Sequence, residues 1–147
     1  MSLAERGRAI EEALTIDKAR LTSICDNLDI GLYVSDPNTY EILYANELTK
    51  KSFQRNLVGG LCYKEFRGLD HPCESCSNEI ILKQKPLPYF WEHHDPTHDK
   101  YFAIIDRIIE WPDGRDVRLE AAIDITDRKK AELELCKRDR SFETSIN

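Results

Sequence analysis

The run Val117-Arg118-Leu119-Glu120-Ala121-Ala122-Ile123-Asp124-Ile125-Thr126-Asp127-Arg128-Lys129 holds the densest structural information in the chain. Val117, Leu119, Ala121, Ile123 and Ile125 alternate with Arg118, Glu120, Ala122, Asp124 and Thr126. Side chains alternate across a strand, so this pattern predicts a β-strand with one buried face. The expectation is that Val117, Leu119, Ala121, Ile123 and Ile125 face the interior and that Arg118 and Glu120 do not. From Asp127 the period changes to that of a helix, with Ala131, Leu135, Phe142 and Ile146 on one stripe and Thr126 placed to cap it.

Upstream, Asp113-Gly114 is a strong hairpin turn, and the β-branched and aromatic run Lys100 to Trp111 predicts the partner strand. Tyr89-Phe90-Trp91-Glu92-His93-His94 reads as a further strand, joined through the turn-forming Asp95-Pro96-Thr97-His98-Asp99. Nearer the start, Gly31 to Ser35 and Glu41 to Ala45 flank Asp36-Pro37-Asn38 and predict a hairpin. Between the strand groups lie three short helical stretches. Asn46 is placed to cap Glu47 to Phe53, Gly59-Gly60 precedes Leu61 to Phe66, and Ser77 is placed to cap Asn78 to Gln84. The first helix, Leu3 to Leu28, carries a narrow apolar seam at Leu3, Ile10, Leu14, Leu21, Ile24 and Leu28, which suits either a partner helix or the flank of the same domain.

This order predicts an α+β fold, a five-stranded antiparallel sheet with short helices on one face and a helix at either end. The expected divisions are a flanking helix over 1–28, a core over 29–126 and an outgoing helix over 127–147.

Ile123-Asp124-Ile125-Thr126-Asp127-Arg128-Lys129 resembles the end of a PAS sensory domain, where Asp-Ile-Thr is followed by an acidic residue, Arg and Lys. Gly31-Leu32-Tyr33-Val34-Ser35-Asp36, Ile42-Leu43-Tyr44-Ala45-Asn46 and Leu57-Val58-Gly59-Gly60 resemble PAS segments in the same order, so the resemblance covers about Leu21 to Leu135. It implies a curved sheet clasping a small interior that holds a flavin, haem, small metabolite or nothing. It also implies that Asp124 and Thr126 transmit signals by tying the last strand to the outgoing helix. Bacterial PAS modules usually precede a histidine kinase, a diguanylate cyclase or further PAS modules, so a covalently linked output domain is expected in the full-length protein.

Composition narrows the function. At 147 residues, 41% hydrophobic and 33% charged, the chain suits one folded domain. A net charge of -6 argues against a nucleic-acid partner, which needs clustered Lys and Arg. No apolar run approaches the roughly 20 residues needed to cross a bilayer, so a cytoplasmic domain without membrane contact is expected, with a membrane-anchored parent left open. Phosphate loops, nucleophile elbows and paired zinc-ligand histidines are missing, so no catalytic residue is expected.

Five cysteines in a chain without a secretory signal are read as reduced thiols. Cys62, Cys73 and Cys76 are the candidate metal ligands: two thiolates on one turn and a third at a distance supply three of four tetrahedral positions. The fourth would come from His71, His93, His94 or His98, although His93 and His94 on a strand point to opposite faces, or an iron–sulfur cluster would use an open or exogenous position. The alternatives are thiols that only pack, or a redox pair of Cys73 and Cys76, though such pairs usually open a helix in a parallel βαβ frame that this order lacks. The three are expected to lie close together with or without a metal. The cysteine pattern resembles a subset of bacterial PAS domains with no common ligand. Gly60-Leu61-Cys62-Tyr63 resembles the light-sensing PAS subset, but its Asn-Cys-Arg-Phe-Leu-Gln run is missing, which argues against flavin photochemistry. The cofactor is left unknown, with a metal ion or none as the candidates. The functional expectation is a sensory input domain that reads a small ligand, a metal or redox state and dimerises through its flanking helices. A dimerisation adaptor with an empty core is the competing reading.

Overall fold

The computed structural model describes the backbone of residues 1–146 and side chains through residue 141, so the side chains of Phe142 and Ile146 lie outside the described residues. In chain order the elements are α1 (Leu3–Asn27), β1 (Gly31–Ser35), β2 (Ile42–Ala45), α2 (Glu47–Phe53), α3 (Cys62–Arg67), α4 (Asn78–Gln84), β3 (Tyr89–Asp95), β4 (Lys100–Glu110), β5 (Asp116–Asp124) and α5 (Thr126–Ile146). The strands form one antiparallel sheet in the order β2-β1-β5-β4-β3. Because β2 and β3 occupy opposite edges, the chain between them must cross one face of the sheet. That crossing is made by α2, α3 and α4, which turns one face into the concave interior.

Turn chemistry fixes the corners. The Asp36 carboxylate accepts from the amides of Asn38 at 2.7 Å and Thr39 at 3.1 Å, and from Arg115 of the β4–β5 turn at 2.9 Å. This carboxylate therefore ties two hairpin turns together. Gly68 closes α3 with φ of 66°, a left-handed conformation that glycine adopts without a Cβ clash. The core beneath the helices is Tyr33, Ile42, Ala45, Leu57 and Cys62, with Tyr40, Tyr63 and Phe66 packed against it.

The alternation in β5 is as expected, but its faces are reversed. Tyr33 and Asp106 both pair with Glu120, which puts these three side chains abreast on the concave face. Arg118, two residues earlier, shares that face and is only 6% exposed. Leu119 and Ala121 instead stand beside Val34, Leu32 and Ile105, and with Ile123 are half-buried on the convex face. Val117 and Ile125 are buried, but Val117 belongs to this convex set. The reversal has a physical cause: the concave face offers Arg118 carboxylate partners, whereas the convex face offers apolar neighbours.

Asn46 joins the first helix to the sheet. Its Oδ1 accepts from the Leu32 amide at 3.0 Å and caps α2 through the Thr49 amide at 3.2 Å. Its Nδ2 donates to the carbonyls of Cys25 at 2.9 Å and Ile30 at 2.8 Å. Beyond this anchor α1 buries none of its residues, and Leu14, Leu21 and Ile24 are 64%, 64% and 58% exposed. Asn46→Ala leaves several buried backbone groups unpaired, each costing about 1–3 kcal/mol. The expected result is a clear fall in the urea midpoint with an unchanged slope, whereas Asn56→Ala in the exposed loop leaves the midpoint in place.

Candidate functional site

Between the concave face and α3 to α4 lies a cavity of about 60 Å³, whose lining includes Tyr33, Cys62, Arg67, Trp91, Arg118 and Glu120. Cys73 and Cys76, on the loop between α3 and α4, also line it. The three cysteines singled out by their spacing therefore share one cavity. All are free thiols, and burial pushes the Cys62 thiol up from 9.0 to about 11. Among the described residues, no group of three or more His, Cys, Asp and Glu side chains is arranged to hold a metal ion.

The floor of the cavity is a buried polar network that hydropathy did not reveal. Arg118 Nη2 lies 3.2 Å from Asp106 Oδ1 and donates to Glu120 Oε1 at 2.9 Å. Asp106, fully buried, accepts through Oδ2 from Ser77 Oγ at 2.8 Å and from Trp91 Nε1 at 2.7 Å. The Ser77 hydroxyl thus serves this network and makes no capping bond to α4, contrary to the sequence expectation. The Arg118 guanidinium also sits 5.8 Å from the centre of the Tyr33 ring. Two network atoms, Arg118 Nε and Asp106 Oδ1, are buried without a hydrogen-bond partner. Nothing in the local sequence marked Glu120 or Asp106 as interior. The available signal was the opposition of Arg118 and Glu120 to a carboxylate on the neighbouring strand, which depends on register.

At the other end of β5, Thr126 Oγ1 accepts from the Tyr101 amide at 3.0 Å and donates to Asp124 Oδ1, which also accepts from the Thr126 amide at 2.9 Å. The Thr126 hydroxyl is a clasp between strands at the start of α5, not the helix cap expected from sequence. Lys129 and Lys130, on the first turn of α5, reach Glu92 at 2.8 Å and Asp99 at 3.1 Å on the β3–β4 hairpin. The histidines take hydrogen-bonded or packed positions: His94 with Asp99 at 3.0 Å, His98 with Asp95 at 2.8 Å, and His93 beside Trp91 with ring centres 5.9 Å apart. His71 Nδ1 lies 3.0 Å from the Pro72 carbonyl oxygen.

Burial, opposed by Arg118 and reinforced by Asp106, pushes the Glu120 carboxyl from 4.5 to about 8. Between these values the folded chain binds a proton that the unfolded chain has released. This contribution to stability is complete below about 4.5 and is lost as the pH rises to about 8. Glu120→Gln, neutral at every pH, is expected to flatten that part of the stability–pH profile in urea titrations. An unchanged slope would place the titration elsewhere.

No protein-family profile matches the sequence, and no curated protein matches it. Solved structures do. The PAS domain of nitrogen regulation protein NR(II) from Vibrio parahaemolyticus aligns with a TM-score of 0.54 at 15% identity, over 71% of this chain and 96% of that one. The PAS domain of BvgS from Bordetella pertussis gives 0.53 at 15% identity, over 85% and 98%. An RNA-binding light-oxygen-voltage receptor gives 0.63 at 13% identity, over 86% of this chain and 38% of that one. At these identities the likeness establishes the fold, and with the strand order and concave cavity already described, the chain has the PAS fold.

Proposed function

We propose that this chain is the sensory input domain of a bacterial signal-transduction protein, with an output domain of histidine kinase or diguanylate cyclase type, and has no catalytic activity of its own. One observation carries the reading. On β3, Trp91 lines the cavity and bonds Asp106, while its neighbour Glu92 holds Lys129 of α5. Adjacent strand residues point to opposite faces, so a displacement of Trp91 by cavity contents moves the anchor of α5 on the other side. Asp124 and Thr126 form the second attachment and are the proposed transmission residues. The input is a small ligand or a change of thiol state at Cys62, Cys73 and Cys76, and the output is the orientation of α5.

Cys76→Phe, which fills the cavity, tests this directly. Amide exchange in residues 127–132 is expected to change, and adding Thr126→Val to suppress that change while raising exchange at Tyr101. An α5 indifferent to cavity filling would favour the adaptor without a ligand.

The exposed apolar seam of α1 supports a homodimer through the flanking helices. Sedimentation equilibrium is expected to give a dimer that Leu14→Glu with Leu21→Glu converts to a folded monomer. A wild-type monomer throughout the micromolar range would exclude the dimer.

A further inference from the structure

The cavity's chemistry narrows its ligand. Arg67 and Arg118 bring two guanidinium groups to the lining, against one lining carboxylate, Glu120, with Asp106 behind. Despite its burial, Arg118 is held above its ordinary pKa by Tyr33, Glu120 and Asp106, so it stays charged. Nη2 of Arg118 is committed to Asp106 and Glu120, whereas Nε is buried and has no acceptor. The Arg118 guanidinium, which lines the cavity, is thus not saturated by acceptors of the protein itself. Tyr33, Tyr40, Tyr63 and Ser75 also border the space and can turn hydroxyl groups toward an acceptor.

Charge and size then set the class. With Glu120 protonated, Arg118 and Asp106 cancel and Arg67 leaves one positive charge, which suits a monoanion and opposes a cation. A water occupies on the order of 10–15 Å³ on this scale, so about 60 Å³ holds roughly four or five non-hydrogen atoms. Flavin and haem are far larger.

Resting on the sensory reading above, we propose that the cavity is a binding site for a short monocarboxylate of one to three carbons, which pairs with the guanidinium groups of Arg118 and Arg67. A protonated Glu120 hydrogen-bonds Asp106 and permits the anion, whereas an ionised Glu120 repels it. The charged and titratable groups that act on Glu120 or line the cavity with it are Arg118 of β5, Asp106 of β4, Tyr33 of β1, Cys62, Tyr63 and Arg67 of α3, Tyr40, and Cys73 and Cys76 of the α3–α4 loop.

The test is a ¹H–¹⁵N titration of the intact chain with sodium formate, acetate and propionate, reading the Nε–H signals of Arg118 and Arg67 and the Nε1–H of Trp91. Acetamide, methylammonium, zinc chloride and sodium chloride at matched ionic strength are the controls. Carboxylates are expected to shift the Arg118 signal saturably, acetamide and chloride not. Affinity is expected to fall roughly tenfold per pH unit above about 8 in the wild type and to be independent of pH in Glu120→Gln. Arg67→Gln, at the exposed rim, should weaken binding roughly tenfold without unfolding the chain. If acetamide, methylammonium or zinc shifts these signals and carboxylates do not, the anion site is wrong while a sensory cavity stands. If chloride matches acetate, the effect is ionic and the site is wrong. If no probe shifts any of the three signals, both the anion site and small-ligand sensing in this cavity fall.

Discussion

Asp106 and Arg118 sit on neighbouring strands, are almost completely excluded from water, and lie 3.2 Å apart. Two buried charges offset their desolvation only when hydrogen bonds satisfy the rest of each group, and here those bonds come from elsewhere in the fold. Ser77 reaches Asp106 from the start of α4, Trp91 from β3, and the Tyr33 ring of β1 lies beside the Arg118 guanidinium. The position of α4, and with it the loop carrying Cys73 and Cys76, therefore depends on this ion pair. Such a pair adds little net stability over an apolar replacement, but removing one partner costs about 3–5 kcal/mol because the other charge remains buried. Its effect is to select one arrangement of α4 and β3 over the sheet.

Much of the fold was legible because its signals are local. Asp36-Pro37-Asn38 and Asp113-Gly114 announce turns by backbone chemistry, and Asn46 announces a helix start by its side chain. Alternation in β5 gave the period of the strand. It did not give the sign, because a strand written apolar–charged–apolar–charged reads as charged-side-out unless the charges have buried partners. The partner of Arg118, Asp106, comes from a strand paired in a register that composition cannot supply. Ser77 and Thr126 failed as caps for a related reason. Each hydroxyl had a distant competitor, the Asp106 carboxylate for one and the Tyr101 amide for the other.

The cysteines illustrate the same limit from the other side. Gly68, with its positive φ, and the two-residue spacing of Cys73 and Cys76 bring the loop back over the cavity that Cys62 enters from α3. Convergence on one cavity follows from chain geometry, but a ligand set requires more than convergence. Cys62 is buried among aromatic rings, its thiol pushed toward the neutral form, while Cys73 and Cys76 are half-exposed on the loop. Thiolate character is what makes cysteine a nucleophile or metal ligand, so the environment of Cys62 works against either role.

The attachments of α5 differ in kind, and this difference constrains how the helix can move. Thr126 engages a backbone amide of β4 and a carboxylate of β5 within the ordered end of the sheet. Glu92–Lys129 and Asp99–Lys130 are exposed ion pairs between long side chains, which reform readily in new geometries. A disturbance arriving through Trp91 therefore meets a fixed point at Thr126 and yielding contacts one turn further on. The response that fits both is a pivot of α5 about Thr126, with Lys129 and Lys130 exchanging carboxylate partners, instead of detachment of the helix. A pivot also suits a weak input, because at the helix it alters only contacts that water already screens and does not require the Asp106–Arg118 pair to break.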